Sequence, residues 1–274
     1  MAKKQFFAIL DTETTVKDTV ADFAIIICDR QGRVFNQCAV LIHDHFDAME
    51  LFYIPNALGQ WSKQYAETKR ANYNAMLVAG TRQLASVAAI NRWINQAIGK
   101  YAPTLTAYNL AFDIGKCENT GIDLSGFVDR FCLWQASVGN ICHRKAYRQF
   151  CLDNHGFNNV TEHGNMTFKT NAEMVCGFLR GSFSDEPHTA LEDVRDWDCR
   201  AAFVASQAGL IGLTRQAAGE LAGDHIRVNA VCAERMAGES LPADLKPIVE
   251  KILFLCSTES IAITGQVIGV DSDR

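Results

Sequence analysis

The sequence has no excess of positive charge, no apolar run of membrane-spanning length and no complete signal-peptide pattern at its start. Its formal net charge is −5, so no global basic field announces a nucleic-acid partner. A phosphodiester would have to be gripped by local basic patches or by bound metal ions. The Met1-Ala2-Lys3-Lys4-Gln5 start lacks the charged, apolar and small-residue regions of a secretory leader, and no membrane partner is expected; the expected location is the cytoplasm. Ten cysteines are scattered along a chain too large to need disulfide staples. Free thiols in a reducing compartment explain them, with Cys28, Cys38, Cys132 and Cys256 expected to be buried among apolar neighbours. What remains is an ordinary globular composition, 48% hydrophobic and 21% charged over 274 residues, sufficient for one large domain or two small ones.

Asp11-Thr12-Glu13 closes the apolar run Phe6-Phe7-Ala8-Ile9-Leu10, the pattern of a buried strand ending in a turn. Residues i and i+2 of a strand share a face, so Asp11 and Glu13 are expected side by side while Thr12 looks the other way. Two like charges that close are costly unless cations sit between them. A divalent-metal site is one reading of the pair, and a solvated strand end is the other.

Residues 21–29 and 34–42 are two further apolar runs around the turn-like Asp29-Arg30-Gln31-Gly32, which predicts a β-hairpin beside the first strand. Residues 57–79 are rich in helix formers. Thr81 is expected to cap a helix in which Leu84, Val87, Ala88, Trp93, Ile94 and Ile98 recur at helical spacing, with Gly99 as its stop. A short strand at 104–109 leads into a helix starting near Leu110, and 127–134 reads as strand or short helix. Residues 145–154, 171–179 and 189–203 read as helices. Cys142, His143, Cys151 and His155 could imitate a zinc site, but their spacing fits no compact knuckle, and Tyr147, Phe150 and Cys151 read as one helix face.

A second acidic constellation appears here. Asp113 opens the helix after the 104–109 strand, and His188 precedes a helix whose first turns carry Asp193. A separation of five places these two on different helix faces, so His188 is expected in the incoming loop, where a histidine suits a mobile general base beside a fixed acid. Read separately, His188 also fits a helix-start packing residue and Asp193 a surface acid.

Taken together, Asp11-Thr12-Glu13-Thr14-Thr15, Tyr108-Asn109-Leu110-Ala111-Phe112-Asp113 and His188-Thr189-Ala190-Leu191-Glu192-Asp193 resemble the three motifs of the histidine-containing DEDD family of 3′-to-5′ exonucleases. The resemblance covers about residues 5–205 and implies an α/β, ribonuclease-H-like fold with a mixed central sheet. It further implies that Asp11, Glu13, Asp113 and Asp193 bind two Mg²⁺ or Mn²⁺ ions. His188 would take a proton from the attacking water, and nucleoside 5′-monophosphates would leave the 3′ ends of single-stranded DNA or RNA. Thr14, Thr15 and Asn109 are carried over as substrate-binding positions, Asn109 chiefly as an organiser of its motif. Phe112 is expected in the core. Phe52, Tyr53 and Trp61 are stacking candidates, and Lys63, Lys69 and Arg70 a modest basic patch, read first as a solvated helix face. A catalytically inactive nucleic-acid-binding protein is the alternative.

Residues 203–271 are similar instead to the last part of a short-chain dehydrogenase/reductase. The resemblance runs through Gly209-Leu210-Ile211-Gly212-Leu213-Thr214, Ile226-Arg227-Val228-Asn229-Ala230 and Ile263-Thr264-Gly265-Gln266-Val267. That family's catalytic Tyr-x-x-x-Lys would fall on Phe203 and Gln207, which offer neither the ionisable hydroxyl nor the charge that tunes it. The N-terminal Gly-rich dinucleotide turn is missing too. The expected organisation is therefore an exonuclease-like domain over 1–205 and an α/β accessory extension over 206–274 that pairs with the sheet edge, makes a homodimer or stays poorly ordered.

Overall fold

The computed structural model describes residues 5–51, 61–158, 164–183, 188–195, 211, 213–233 and 246–270, the side chains of 61–63 and 232–233 excepted. Six strands form one mixed sheet in the order β4-β3-β2-β1-β5-β6. These are β1 (Phe6–Thr14), β2 (Val20–Asp29), β3 (Val34–Ile42), β4 (Leu84–Ala85), β5 (Thr104–Ala107) and β6 (Arg130–Cys132). β1, β2 and β3 run antiparallel to one another in turn, while β4 lies parallel to β3, β5 to β1 and β6 to β5. This is the mixed central sheet of an α/β fold that the motifs implied.

The hairpin forms where expected because Asp29 ties its turn. Its Oδ1 accepts the backbone N–H groups of Gln31 and Arg33, and Gly32 takes φ +73°, which glycine adopts without steric cost. All ten residues of β2 are buried, so its long run of Ile is the signature of a central strand covered on both faces.

Alternation along β1 and β2 sends side chains into two cores. Phe7, Ile9, Ala24 and Ile26 pack with residues of α5 (Leu133–Asn140), α6 (Lys145–Asp153) and α7 (Ala172–Arg180), and with Ala190, Leu191 and Val194. On the opposite face Ala8, Leu10, Phe23 and Ile25 meet Ile90, Ile94 and Ala97 of α3 (Val87–Tyr101) and Leu110 and Cys117 of α4 (Leu110–Thr120). A third cluster joins Leu41 and Phe46, the latter from the short α1 (His43–Phe46), to Ala66 and Tyr73 of α2 (Trp61–Val78).

Several boundaries differ from the sequence reading. Leu84 and Ala85 are strand, pairing in parallel with Leu41 and Ile42, so Ser86 and not Thr81 caps α3, its hydroxyl oxygen accepting the N–H of Ala89. The helix also runs past Gly99 to Tyr101, where Ala102 turns left-handed. The 127–134 segment is both things at once, β6 and then the start of α5. Cys28 is buried, but Cys38 and Cys132 are only partly so and Cys256 is exposed; the eight cysteines described here are all free thiols. Among the described residues no helix is long and apolar enough to cross a membrane.

The C-terminal extension has its own small sheet. Its strands β7 (Ala230–Ala233) and β8 (Val267–Val270) pair with each other in parallel, instead of extending the six-stranded sheet, with helix Lys246–Cys256 between them in the chain. Arg227 fastens this unit, its guanidinium donating to the carbonyls of Leu255 and Ser260. The expected domain boundary near 205, together with Phe52, Tyr53, Phe203 and Gln207, lies outside the described residues.

Candidate active site

Asp11 and Glu13 occupy the end of β1 on the face shared with Phe7 and Ile9, and both are half-buried between fully covered neighbours. Thr12 points to the opposite face, as the two-residue repeat requires. There its hydroxyl donates to Asp113 Oδ1 at 2.9 Å across 101 positions of sequence. Asp113 is held in the first turn of α4, which follows directly from the end of β5. The acids therefore meet outside the carboxyl ends of the adjacent parallel strands β1 and β5, a crevice that open α/β sheets commonly use for ligands.

The third motif arrives from the β1 face. Residues 190–195 are helical, and Thr189 opens the helix with its backbone carbonyl accepting the N–H of Asp193 at 3.0 Å. That turn aims the buried Asp193 at the strand pair: one ligand oxygen each of Asp11, Glu13 and Asp193 lies within 4.8 Å of the others. His188 stands outside the helix, exposed and with φ +53°. A cavity of about 290 Å³ is lined by Asp11, Glu13, Asp113, Asp193 and His188 together with Asn109 and Phe112. Cys142, His143, Cys151 and His155 form no such ligand group.

Three hard carboxylate oxygens this close fit a hard divalent cation. Without one, their mutual repulsion is uncompensated except by neighbouring cations. Asp113 lines the same cavity without joining the trio. Burial pushes its carboxyl up to about 7, against the hydrogen bonds from Thr12, and the charge of Glu13 adds to the rise.

Of the first motif's threonines, Thr12 lines the cavity but Thr14 and Thr15 do not. Thr14 and Thr15 are buried, and the turn after them is closed on itself. The N–H of Thr15 goes to Thr19 O and that of Val16 to Glu50 O, while the Thr15 hydroxyl bonds that of Thr19 at 2.8 Å. Asn109, by contrast, is exposed at the cavity in the left-handed conformation, φ +66°. Phe112 is not core: it is 46% exposed on the cavity wall, with Lys116 Nζ 4.7 Å from its ring centre.

Lys69 and Arg70 are not a solvated face either. Lys69 Nζ lies 2.5 Å from Glu13 Oε2, and Arg70 donates to the carbonyls of Phe46 and Met49. Tyr65, one turn before Lys69, sets its ring edge-on to His188 with 6.1 Å between centres. Burial, followed by the charges of Glu13 and Asp193, pushes its hydroxyl up to about 12. The spacing of Tyr65, Lys69 and Tyr73 marks one helix face in the sequence, but nothing local says that this face meets Glu13.

Behind the site, Asp22 sits opposite Glu13 in the β1–β2 register and accepts the N–H of Ala190 at 3.0 Å. Arg82 bridges it to the third motif, 3.7 Å from Asp22 Oδ1 and 2.5 Å from Glu192 Oε2.

No protein-family model matches the chain. In sequence it is similar to 3-oxoacyl-acyl-carrier-protein reductase FabG of Thermotoga maritima, 43% identical over an 88-residue alignment that covers 25% of this chain and 36% of that protein. Among solved structures, exonuclease I in complex with the inhibitor BCBP is 15% identical, covering 80% of this chain and 46% of that one with a TM-score of 0.41. A 4-hydroxyisoleucine dehydrogenase complexed with NADH and succinate is 17% identical, covering 68% of this chain and 92% of that one, with a TM-score of 0.24. The chain thus spans about a third of the reductase's length and under half of exonuclease I. It is bipartite, an N-terminal region resembling the histidine-containing DEDD exonucleases joined to a C-terminal region related in sequence to short-chain reductases.

Proposed function

We propose that this chain is a divalent-metal-dependent 3′-to-5′ exonuclease acting on single-stranded nucleic-acid ends. The observation that carries the reading is the convergence of Asp11, Glu13, Asp113, Asp193 and His188, from three distant segments, on one cavity. Asp11, Glu13 and Asp193 would hold the ions, with Asp113 completing the set. When bound, two such ions supply Lewis-acid charge to the phosphodiester and lower the pKa of water. His188, exposed at the cavity mouth, accepts the proton of the attacking water, the role for which an imidazole is suited near neutral pH. Asn109 and the exposed rings of Phe112 and Tyr65 offer polar and stacking surfaces to the terminal nucleotide.

Reductase chemistry lacks its foundation in the N-terminal region. β1 turns back antiparallel into β2, so no strand–turn–helix unit follows it to place a pyrophosphate at a helix N-terminus. The test is digestion of matched DNA and RNA oligonucleotides, labelled at either end, under Mg²⁺ and under Mn²⁺. Stepwise release of nucleoside 5′-monophosphates from the 3′ end is expected. Binding without release would leave a nucleic-acid-binding protein, and neither binding nor release would remove the nuclease reading.

The same proposal treats about 206–274 as a separate accessory unit that pairs two copies of the chain in the cytoplasm. Its helix Lys246–Cys256 leaves Val249, Ile252 and Leu253 exposed, more apolar surface than one short helix ordinarily shows to water. Sedimentation of the full chain should give twice the mass of one chain. Single-chain mass at tens of micromolar protein would exclude the dimer.

A further inference from the structure

We infer that Lys69 is a resident cation of the acidic cluster that competes with a divalent ion for Glu13. This inference rests on the metal-site reading above. Lys69 Nζ stands 2.5 Å from Glu13 Oε2, and the two side chains are only 10% and 21% exposed. Solvent therefore screens this pair less than a surface ion pair.

The lysine is not on a loose arm. Arg70, the next residue, donates to the carbonyls of Phe46 and Met49 and lies 4.8 Å from the centre of the Phe46 ring. Tyr73, one turn on, is fully buried with its ring edge-on to Phe46 at 5.7 Å. These anchors fix α2, and with it the reach of Lys69 to β1. On the other side Tyr65 walls the ammonium, its ring centre 6.0 Å away.

Of the three acids whose ligand oxygens gather within 4.8 Å, Glu13 thus already has a covalently tethered positive charge. A divalent ion drawing on all three acids must share Glu13 with the ammonium or displace it. The free energy of the ion pair is then subtracted from the free energy of metal binding. Glu13 is fully available to the ion only when Lys69 withdraws. A withdrawn ammonium at the rim of an acidic cavity is available to a phosphate oxygen, which would couple full metal loading to the arrival of substrate.

The test measures metal binding, using Mn²⁺ alone as the probe and the loss of the free-ion electron paramagnetic resonance signal as the readout. It compares the full-length wild type with Lys69→Met and Lys69→Arg at one pH and one ionic strength. Lys69→Met is expected to bind Mn²⁺ about tenfold more tightly, and Lys69→Arg to stay within about threefold of wild type. Lys69→Gln serves in its place if the methionine variant does not fold by circular dichroism. Equal or weaker Mn²⁺ binding by the neutral variant overturns the inference, weaker binding meaning that Lys69 orients Glu13 for the ion. Tighter binding by a variant whose wild type digests no oligonucleotide would uphold the competitor and reject the nuclease. Digestion by the wild type with Mn²⁺ affinity unmoved by the mutation would do the reverse.

Discussion

Asp193→Asn is expected to leave the chain folded while lowering the rate of mononucleotide release roughly 10³-fold, equivalent to about 4 kcal/mol of lost transition-state stabilisation. Asparagine keeps the size and one carbonyl oxygen of the side chain, so the short helix at 190–195 and its packing through Ala190, Leu191 and Val194 should survive. What disappears is one of three negative charges gathered within 4.8 Å, and with it much of the attraction for a divalent ion. Removing a like charge also relieves repulsion in the metal-free protein. The melting temperature without metal should therefore hold or rise, while the increase produced by Mn²⁺ shrinks. The kinetic measurement is release from a 3′-labelled oligonucleotide at saturating metal. Activity within tenfold of wild type would mean that Asp193 holds no ion needed for catalysis.

Arg82→Met has the largest effect expected on stability, about 3–5 kcal/mol, because it strips one partner from a buried charge network. Against a total stability of about 5–15 kcal/mol for a typical domain, that is a large fraction. Asp22 is fully buried, and desolvation pushes its carboxyl up to about 6 even though Arg82 pulls the other way. The ion pair is imperfect: Asp22 Oδ1 and Arg82 Nε find no hydrogen-bond partner, and they stand 3.7 Å apart. Their value lies in joining β2 to the third motif, Asp22 through the N–H of Ala190 and Arg82 through Glu192.

The pH dependence of this variant has a definite sign. A carboxyl whose folded pKa is raised costs stability where it is ionised, and that cost is relieved as pH falls through the folded value towards the unfolded one. For Asp22 the window runs from about 6 down to its ordinary value of 3.8. Loss of Arg82 raises the folded value further, so the variant's carboxyl is neutralised sooner on acidification. Tyr73 and Glu13, its other neighbours, supply no replacement cation. Glu192 has the opposite tendency, its carboxyl held below the usual range by Thr189 and Arg82 against the effect of burial. The stability it contributes is present above its ordinary 4.5 and is lost only at lower pH. Urea unfolding should therefore show a deficit for Arg82→Met that is largest near pH 8 and smaller at pH 5.5. A deficit below about 1 kcal/mol at both values, in the range of an exposed ion pair, or one that grows on acidification, would refute the network's role.

The sequence by itself determined the frame of the site. The apolar run before Asp11, the two-residue repeat that puts Asp11 and Glu13 on one face, the hairpin around Asp29 and the loop placement of His188 follow from short-range rules, and the structure has each of them. Local periodicity says which way a side chain points from its own element. It is silent on which other element stands opposite. That decision was tertiary. The face of α2 that reads as a solvated basic stripe carries Lys69 to Glu13 and Tyr65 to His188. The apolar Phe112 that reads as core is exposed because α4 begins at the cavity mouth. Arg82, in a stretch that reads as a helix start, is buried between Asp22 and Glu192. Each of these charged groups is tolerated inside only because a partner 56 to 110 positions away meets it there, and pairings of that range are set by how the elements pack, not by the residues on either side.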